Sequence, residues 1–152
     1  MPLPIVVPDA SVILKWVLPS DGEPDSDRAR QLLTAIVEER ARALVPTLWL
    51  FEVGNTVARR FAPHAGQWLS ALMKFGLEEV APSERWLTVT LDLVSKYGST
   101  FYDAAYHATA LAHGGVFVTA DAQYAARTKA ESGVVGLADW RPPANTIRPR
   151  RG

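Results

Sequence analysis

The chain alternates short, wholly apolar runs with longer stretches whose apolar residues recur every three or four positions. The first run, Ile5-Val6-Val7, is β-branched and flanked by prolines, which predicts a strand buried on both faces. From Asp25 the period becomes helical. Ala29, Leu32, Leu33, Ile36 and Val37 share one face, Arg28, Arg30, Glu38, Glu39 and Arg40 lie elsewhere, and Asp25 and Asp27 stand where the helix dipole favours acids. Ala43-Leu44-Val45-Pro46 predicts a second strand stopped by proline. Thr47 is then the expected N-cap of a helix from Leu48 to about Phe61, although Gly54 weakens it. Another helix is expected over Pro63–Phe75, with Trp68, Leu69, Leu72 and Met73 inward, followed by a short strand at Leu77–Ala81. Pro82-Ser83-Glu84 opens a helix whose apolar face is Trp86, Leu87, Thr90, Leu91, Val94 and Tyr97, with Gly98 as C-cap. Asp103–Ala112 reads as a helix of small residues. Gly114-Gly115 ends it and leads into Val116-Phe117-Val118-Thr119, the strongest strand. A helix from Asp121 to about Glu131 and a strand at Val134-Val135 complete the pattern.

Apolar strands alternating with helices indicate an α/β domain with a doubly wound parallel sheet. Residues 1–140 read as that domain. Residues 141–152, rich in Pro and Arg and without an apolar period, read as an extended basic tail.

Composition narrows the function. With 152 residues, 48% of them apolar, the chain can bury one substantial core. Sixteen Lys and Arg balance 16 Asp and Glu, which excludes a strongly basic nucleic-acid binder or an acidic solvating tail. The lack of cysteine removes disulfides, thiolate metal clusters and thiol nucleophiles, and fits a reducing compartment. Ala104–Ala120, the longest stretch without a charged residue, is too short and too polar to span a bilayer. Met1–Pro8 carries no basic residue and Asp9 ends its apolar run, so no secretory leader is expected and the cytoplasm is the expected location.

The chemistry lies in four acids. Asp9 follows the first strand by two residues and Asp121 follows the strongest strand by two, and groups just past the carboxyl ends of parallel strands converge on one crevice. Asp103 opens the helix before that strongest strand, and Glu52 lies near the start of the helix after the second strand. Four carboxylates in one cleft repel one another. Mg²⁺ or Mn²⁺, which prefer oxygen ligands, would resolve this and support metal-assisted hydrolysis of a phosphodiester. Ser11 and Thr119 could add hydroxyls that steady the ligands, and Asn55 shares a helix face with Glu52. The simpler reading is that each aspartate only caps a helix and that Glu52 is a surface acid. The apolar run Pro46-Thr47-Leu48-Trp49-Leu50-Phe51 beside Glu52 instead sets this acid near the core, where it needs a cation or a hydrogen-bond network.

Four stretches, in order, resemble the signatures of PIN-domain ribonucleases: Val7-Pro8-Asp9-Ala10-Ser11, Pro46 through Asn55, Phe101-Tyr102-Asp103-Ala104-Ala105-Tyr106 and Val118-Thr119-Ala120-Asp121. The match is to the VapC-type toxins of bacterial type II toxin–antitoxin pairs, and it runs from about Ile5 to Val135 with every acidic position intact. The resemblance implies a three-layer α/β/α domain with a central parallel sheet. It also implies a Mg²⁺-dependent endoribonuclease acting on RNA, with Asp9, Glu52, Asp103 and Asp121 as metal ligands and Asp121 the more variable of them. It further implies a homodimer, and a small antitoxin that inhibits by placing a segment into or across the acidic cleft.

Other residues carry less. His107, four residues after Asp103, suits a ligand or base, but a histidine in an alanine-rich helix is expected to be packed. His64 and His113 read as surface residues. Tyr102 and Tyr106 are expected to pack, as are Trp49, Trp68 and Trp86, while Trp16 is expected at the cleft edge. Arg141, Arg148, Arg150 and Arg151 could hold phosphates but read as a solvated tail. Three alternatives stay open: a response-regulator-like domain, which would want an acidic pair after the first strand and a Lys after the last; a PIN-like fold without catalysis that serves as a binding module; and a DNA nuclease of the same metal chemistry. If the four acids share a site, 12 acids remain to face 16 bases, and a balanced total conceals an acidic pit in a body of about +4.

Overall fold

The computed structural model describes residues 2–144. Five parallel strands form one sheet in the order β3-β2-β1-β4-β5: β1 (Ile5–Pro8), β2 (Arg42–Pro46), β3 (Glu78–Val80), β4 (Val116–Thr119) and β5 (Val134–Gly136). The chain winds outward from β1 to β3, returns, and continues from β4 to β5. The β1–β4 boundary is therefore the topological switch point, where an open parallel sheet leaves a crevice beyond its carboxyl ends.

The strand pleat divides the core in two. Val6, Ala43 and Val118 face α2 (Ser26–Val37), meeting Ala29, Leu32, Ala35 and Ile36 together with Leu137 and Trp140. Val7, Leu44 and Phe117 belong to the other core, with Val53 and Val57 of α3 (Trp49–Arg60) and Tyr106 and Ala110 of α6 (Phe101–His113). On α6, Ala104, Ala105 and Ala108 leave room for Trp86 and Leu93 of α5 (Glu84–Tyr97), which packs on α6. Helices thus cover both faces of a buried parallel sheet, the three-layer α/β/α architecture expected from the alternation. The short helices α1 (Ala10–Lys15), α4 (Ala65–Leu72) and α7 (Ala122–Arg127) complete it.

Several boundaries differ from the periodicity. The helix expected over Pro63–Phe75 is a 3₁₀ turn, Ala62–His64, followed by α4, and it ends before Gly76 at φ +80°. The helix expected from Asp121 to Glu131 stops at Arg127. Thr47 does not cap α3; Leu48 occupies that position without a side-chain bond. Val37, Leu87 and Leu91, expected inward, are 59%, 44% and 52% exposed; on α5 the buried stripe is Trp86, Thr90 and Leu93, and Leu87 and Leu91 lie one position to its side. Trp16 is not a cleft residue: its Nε1 donates to the Ala29 carbonyl at 2.9 Å and its ring meets Phe75 edge-on. Trp140 is buried against α2, and the basic tail expected over 141–152 lies, from residue 145 on, outside the described residues.

Gly114 takes the left-handed conformation (φ +68°) that ends α6, and Gly115 brings the chain hard against β1. A Cβ on Gly115 would stand 2.9 Å from the Ile5 carbonyl oxygen and 2.6 Å from its Cγ2. Gly115→Ala should therefore strain the β1–β4 pairing and cost about 1–3 kcal/mol in urea unfolding. An unchanged midpoint would show that the strands separate easily.

Candidate metal centre

Strand register builds the site. Pro8 lies opposite Val118, so the residues just beyond them, Asp9 and Thr119, emerge side by side at the switch point. The Asp9 amide donates to the Val118 carbonyl at 2.9 Å, one rung beyond the strand. Asp9 Oδ1 accepts from the Ala10 amide (2.9 Å) and caps α1, while Oδ2 accepts from the hydroxyls of Ser11 (2.7 Å) and Thr119 (2.9 Å). Ser11 Oγ accepts in turn from the Ala120 amide (3.2 Å), and Thr119 Oγ1 from the Asp121 amide (3.0 Å). Ser11 and Thr119 thus hold the Asp9 carboxylate in one orientation.

Glu52 lies in the first turn of α3, after β2, and is half-buried. Asp103 lies in the first turn of α6, where its amide is held by the Thr100 N-cap hydroxyl at 3.1 Å. These three acids act on one another. Burial, opposed by its hydroxyl partners and reinforced by the Asp103 charge, raises the Asp9 carboxyl above its ordinary range. Burial first, then the charges of Asp9 and Asp103, push Glu52 up to about 7, against a lowering by the nearby Tyr106 hydroxyl. Asp121 sits apart. It is exposed, its Oδ1 caps α7 by accepting from Gln123 and Tyr124 amides at 3.0 and 3.1 Å, and it reaches Asp9 only through Thr119.

The residues fit a hard cation chemically without forming a closed cage. Every donor is oxygen, none of the four acids forms a salt bridge among the described residues, and Glu52 Oε1 is buried without a hydrogen-bond partner. No three His, Asp or Glu side chains among those residues converge closely enough to be a ready-made ligand set. Asn55, on the same helix as Glu52, is exposed.

His107 is packed, as its setting predicts. It is fully buried; its Nε2 lies 2.9 Å from the Ser132 carbonyl and must donate, so its Nδ1, 2.8 Å from Tyr124 Oη, accepts from the phenol. Tyr106 carries more than its expected packing role. Its buried hydroxyl faces Glu52, and the only signal in the sequence was its place three residues after Asp103, on the same helix face.

The fold defines a class: three-layer α/β proteins with a five-stranded, all-parallel central sheet. The chain belongs to the PIN-domain family, whose model matches residues 6–130 and whose members are generally nucleases. Solved structures share the fold at low identity. A toxin–antitoxin complex from Klebsiella pneumoniae is 17% identical, with a TM-score of 0.65 over 87% of this chain and 97% of that one. PAE2754 from Pyrobaculum aerophilum is 22% identical, with a TM-score of 0.61 over 91% and 93%. VapBC2 from Rickettsia felis, solved bound to a DNA fragment from its promoter, is 13% identical, with a TM-score of 0.64 over 87% and 96%. No curated protein matches the chain. No helix among the described residues is long and apolar enough to cross a membrane.

The acids make stability depend on pH. Carboxyls raised in the fold hold protons more tightly than in the unfolded chain, so the metal-free protein is free of this penalty below about pH 4.5. It loses stability as pH rises through about 7. Glu52→Gln should flatten that decline in melting temperature between pH 4.5 and 7.5. Equal slopes in variant and wild type would contradict the buried-carboxyl account.

Proposed function

We propose that this protein is a metal-dependent endoribonuclease, the toxin of a toxin–antitoxin pair, acting in the cytoplasm. What supports this reading is that Asp9 and Glu52 both feel the charge of Asp103, with no basic partner among the described residues and with one Glu52 oxygen buried and unpaired. Asp9, Glu52 and Asp103 would hold Mg²⁺ or Mn²⁺, with Asp121 at its margin. The bound ion supplies an activated water and screens the charge on a phosphodiester. The chain's own part is orientation: Ser11 and Thr119 fix the Asp9 carboxylate, and the first turns of α3 and α6 would present Glu52 and Asp103 to the ion. The toxin assignment and the antitoxin partner rest on the likeness to toxin–antitoxin structures, and RNA as substrate rests on the four signature stretches. Leu87 and Leu91, four residues apart on α5 and exposed, offer an apolar strip to a second copy in a homodimer.

Purified protein with Mg²⁺ or Mn²⁺ is expected to cleave a mixed RNA pool, and EDTA should stop it. Asp9→Asn should lower the rate roughly a hundredfold or more. Equal cleavage by wild type and variant would sink the proposed site, and equal cleavage of DNA of the same sequence would favour the DNA nuclease.

Asp121 separates capping from metal binding. Asp121→Ala loses the cap of α7 and should cost about 1 kcal/mol, whereas Asp121→Asn keeps it, since asparagine caps as well as aspartate. A drop in cleavage by the folded Asp121→Asn protein is expected. Full activity would leave Asp121 as a cap alone.

A further inference from the structure

Two buried side-chain polar atoms of the described chain lack a hydrogen-bond partner, Glu52 Oε1 and Tyr106 Oη, and they belong to neighbouring residues. An unsatisfied buried polar group costs about 1–3 kcal/mol, so two side by side indicate a bond the chain is built to make. Tyr106 is placed for it. The residue is 1% exposed, and its ring stacks on Phe117 at 6.0 Å and 24°, which leaves the hydroxyl little freedom to turn elsewhere. A tyrosine phenol, with an ordinary pKa of about 10, carries its proton near neutral pH, so toward a carboxylate it can only donate.

We propose that Tyr106 is a positioning residue for Glu52: its hydroxyl donates to Oε1, satisfies both orphaned atoms with one bond, and leaves Oε2 to face the cation. This rests on the metal-centre reading above. A ligand carboxylate held by such a donor binds its ion in one orientation, and removing a partner of this kind costs ten- to a hundredfold in metal affinity. The tyrosine would therefore contribute to the centre without touching the ion or the substrate.

The test is a double-mutant cycle on Mn²⁺ affinity, measured by calorimetry at pH 8 for wild type, Tyr106→Phe, Glu52→Gln and the double variant, with Asp9→Asn as control. Tyr106→Phe keeps the ring and deletes only an unpaired hydroxyl, so its melting temperature in EDTA should equal or exceed that of wild type. Its Mn²⁺ affinity should fall about tenfold. In the Glu52→Gln background the same change should have no further effect. A Tyr106→Phe affinity within twofold of wild type overturns the proposal, as does a loss that persists undiminished beside Glu52→Gln. If Glu52→Gln abolishes measurable binding, the affinity of Tyr106→Phe alone decides. Equal Mn²⁺ binding by wild type and Asp9→Asn, or none by wild type, overturns the metal centre itself and this role with it.

Discussion

The carboxyl edge of the sheet hangs on Asp9. Its amide adds one rung to the β1–β4 ladder, one carboxylate oxygen starts α1, and the other gathers Ser11 and Thr119. Those hydroxyls pass the constraint on, one to the Ala120 amide and the other to the Asp121 amide, so the turn after β4 takes its shape from an acid that follows β1. Such a network is strong when every member is satisfied and costly when one is lost. A sheet register is therefore also a site geometry. Any slip between β1 and β4 would move Asp9 away from Thr119, and Gly115, pressed against Ile5, guards that register from the other end.

The layers and acids were legible because each rests on a local signal. Apolar runs of four or five residues mark strands buried on both faces, and an acid two residues past such a run falls at the sheet edge wherever the sheet is parallel. What was not legible depends on where elements stop touching one another. Val37, Leu87 and Leu91 obey the helical period yet face solvent, because an apolar arc can be wider than the stripe the neighbour covers, which on α5 is Trp86, Thr90 and Leu93. The 63–75 segment opens instead with a 3₁₀ turn: its apolar residues continue, but His64 stacks on Trp68 and Phe61 packs against the same ring at a tilt, a local cluster that the helical period does not mark. The Glu52–Tyr106 relation joins two helices 54 residues apart in sequence, a separation that no spacing rule reaches.

Zero net charge proves to be an average over two environments. Lys15, Arg30, Arg40, Arg42 and Lys96 pair with Glu23, Asp27, Glu38, Glu78 and Glu131, mostly on the surface, where such pairs add little stability. They neutralise those acids where they stand. Among the described residues the acids at the switch point receive no such partner, so desolvation and the charges of Asp9 and Asp103 raise Glu52 to about 7 in the metal-free fold.

Capping and metal binding are often set against each other as explanations of an acid at a strand end, but here the duties divide by residue. Asp9 and Asp121 cap helices, and that alone accounts for their type. Asp103 does not, because Thr100 caps its helix, and Glu52 caps nothing. Two carboxylates without a structural task, set beside a third that is already buried, are hard to explain as stability. The helix starts soften the repulsion only in part: the amino ends of α1, α3 and α6, beside Asp9, Glu52 and Asp103, each present about half a positive charge and no full one. Partial charges of that kind do not offset the desolvation of a buried carboxylate, so Glu52 still rises to about 7 in the metal-free fold.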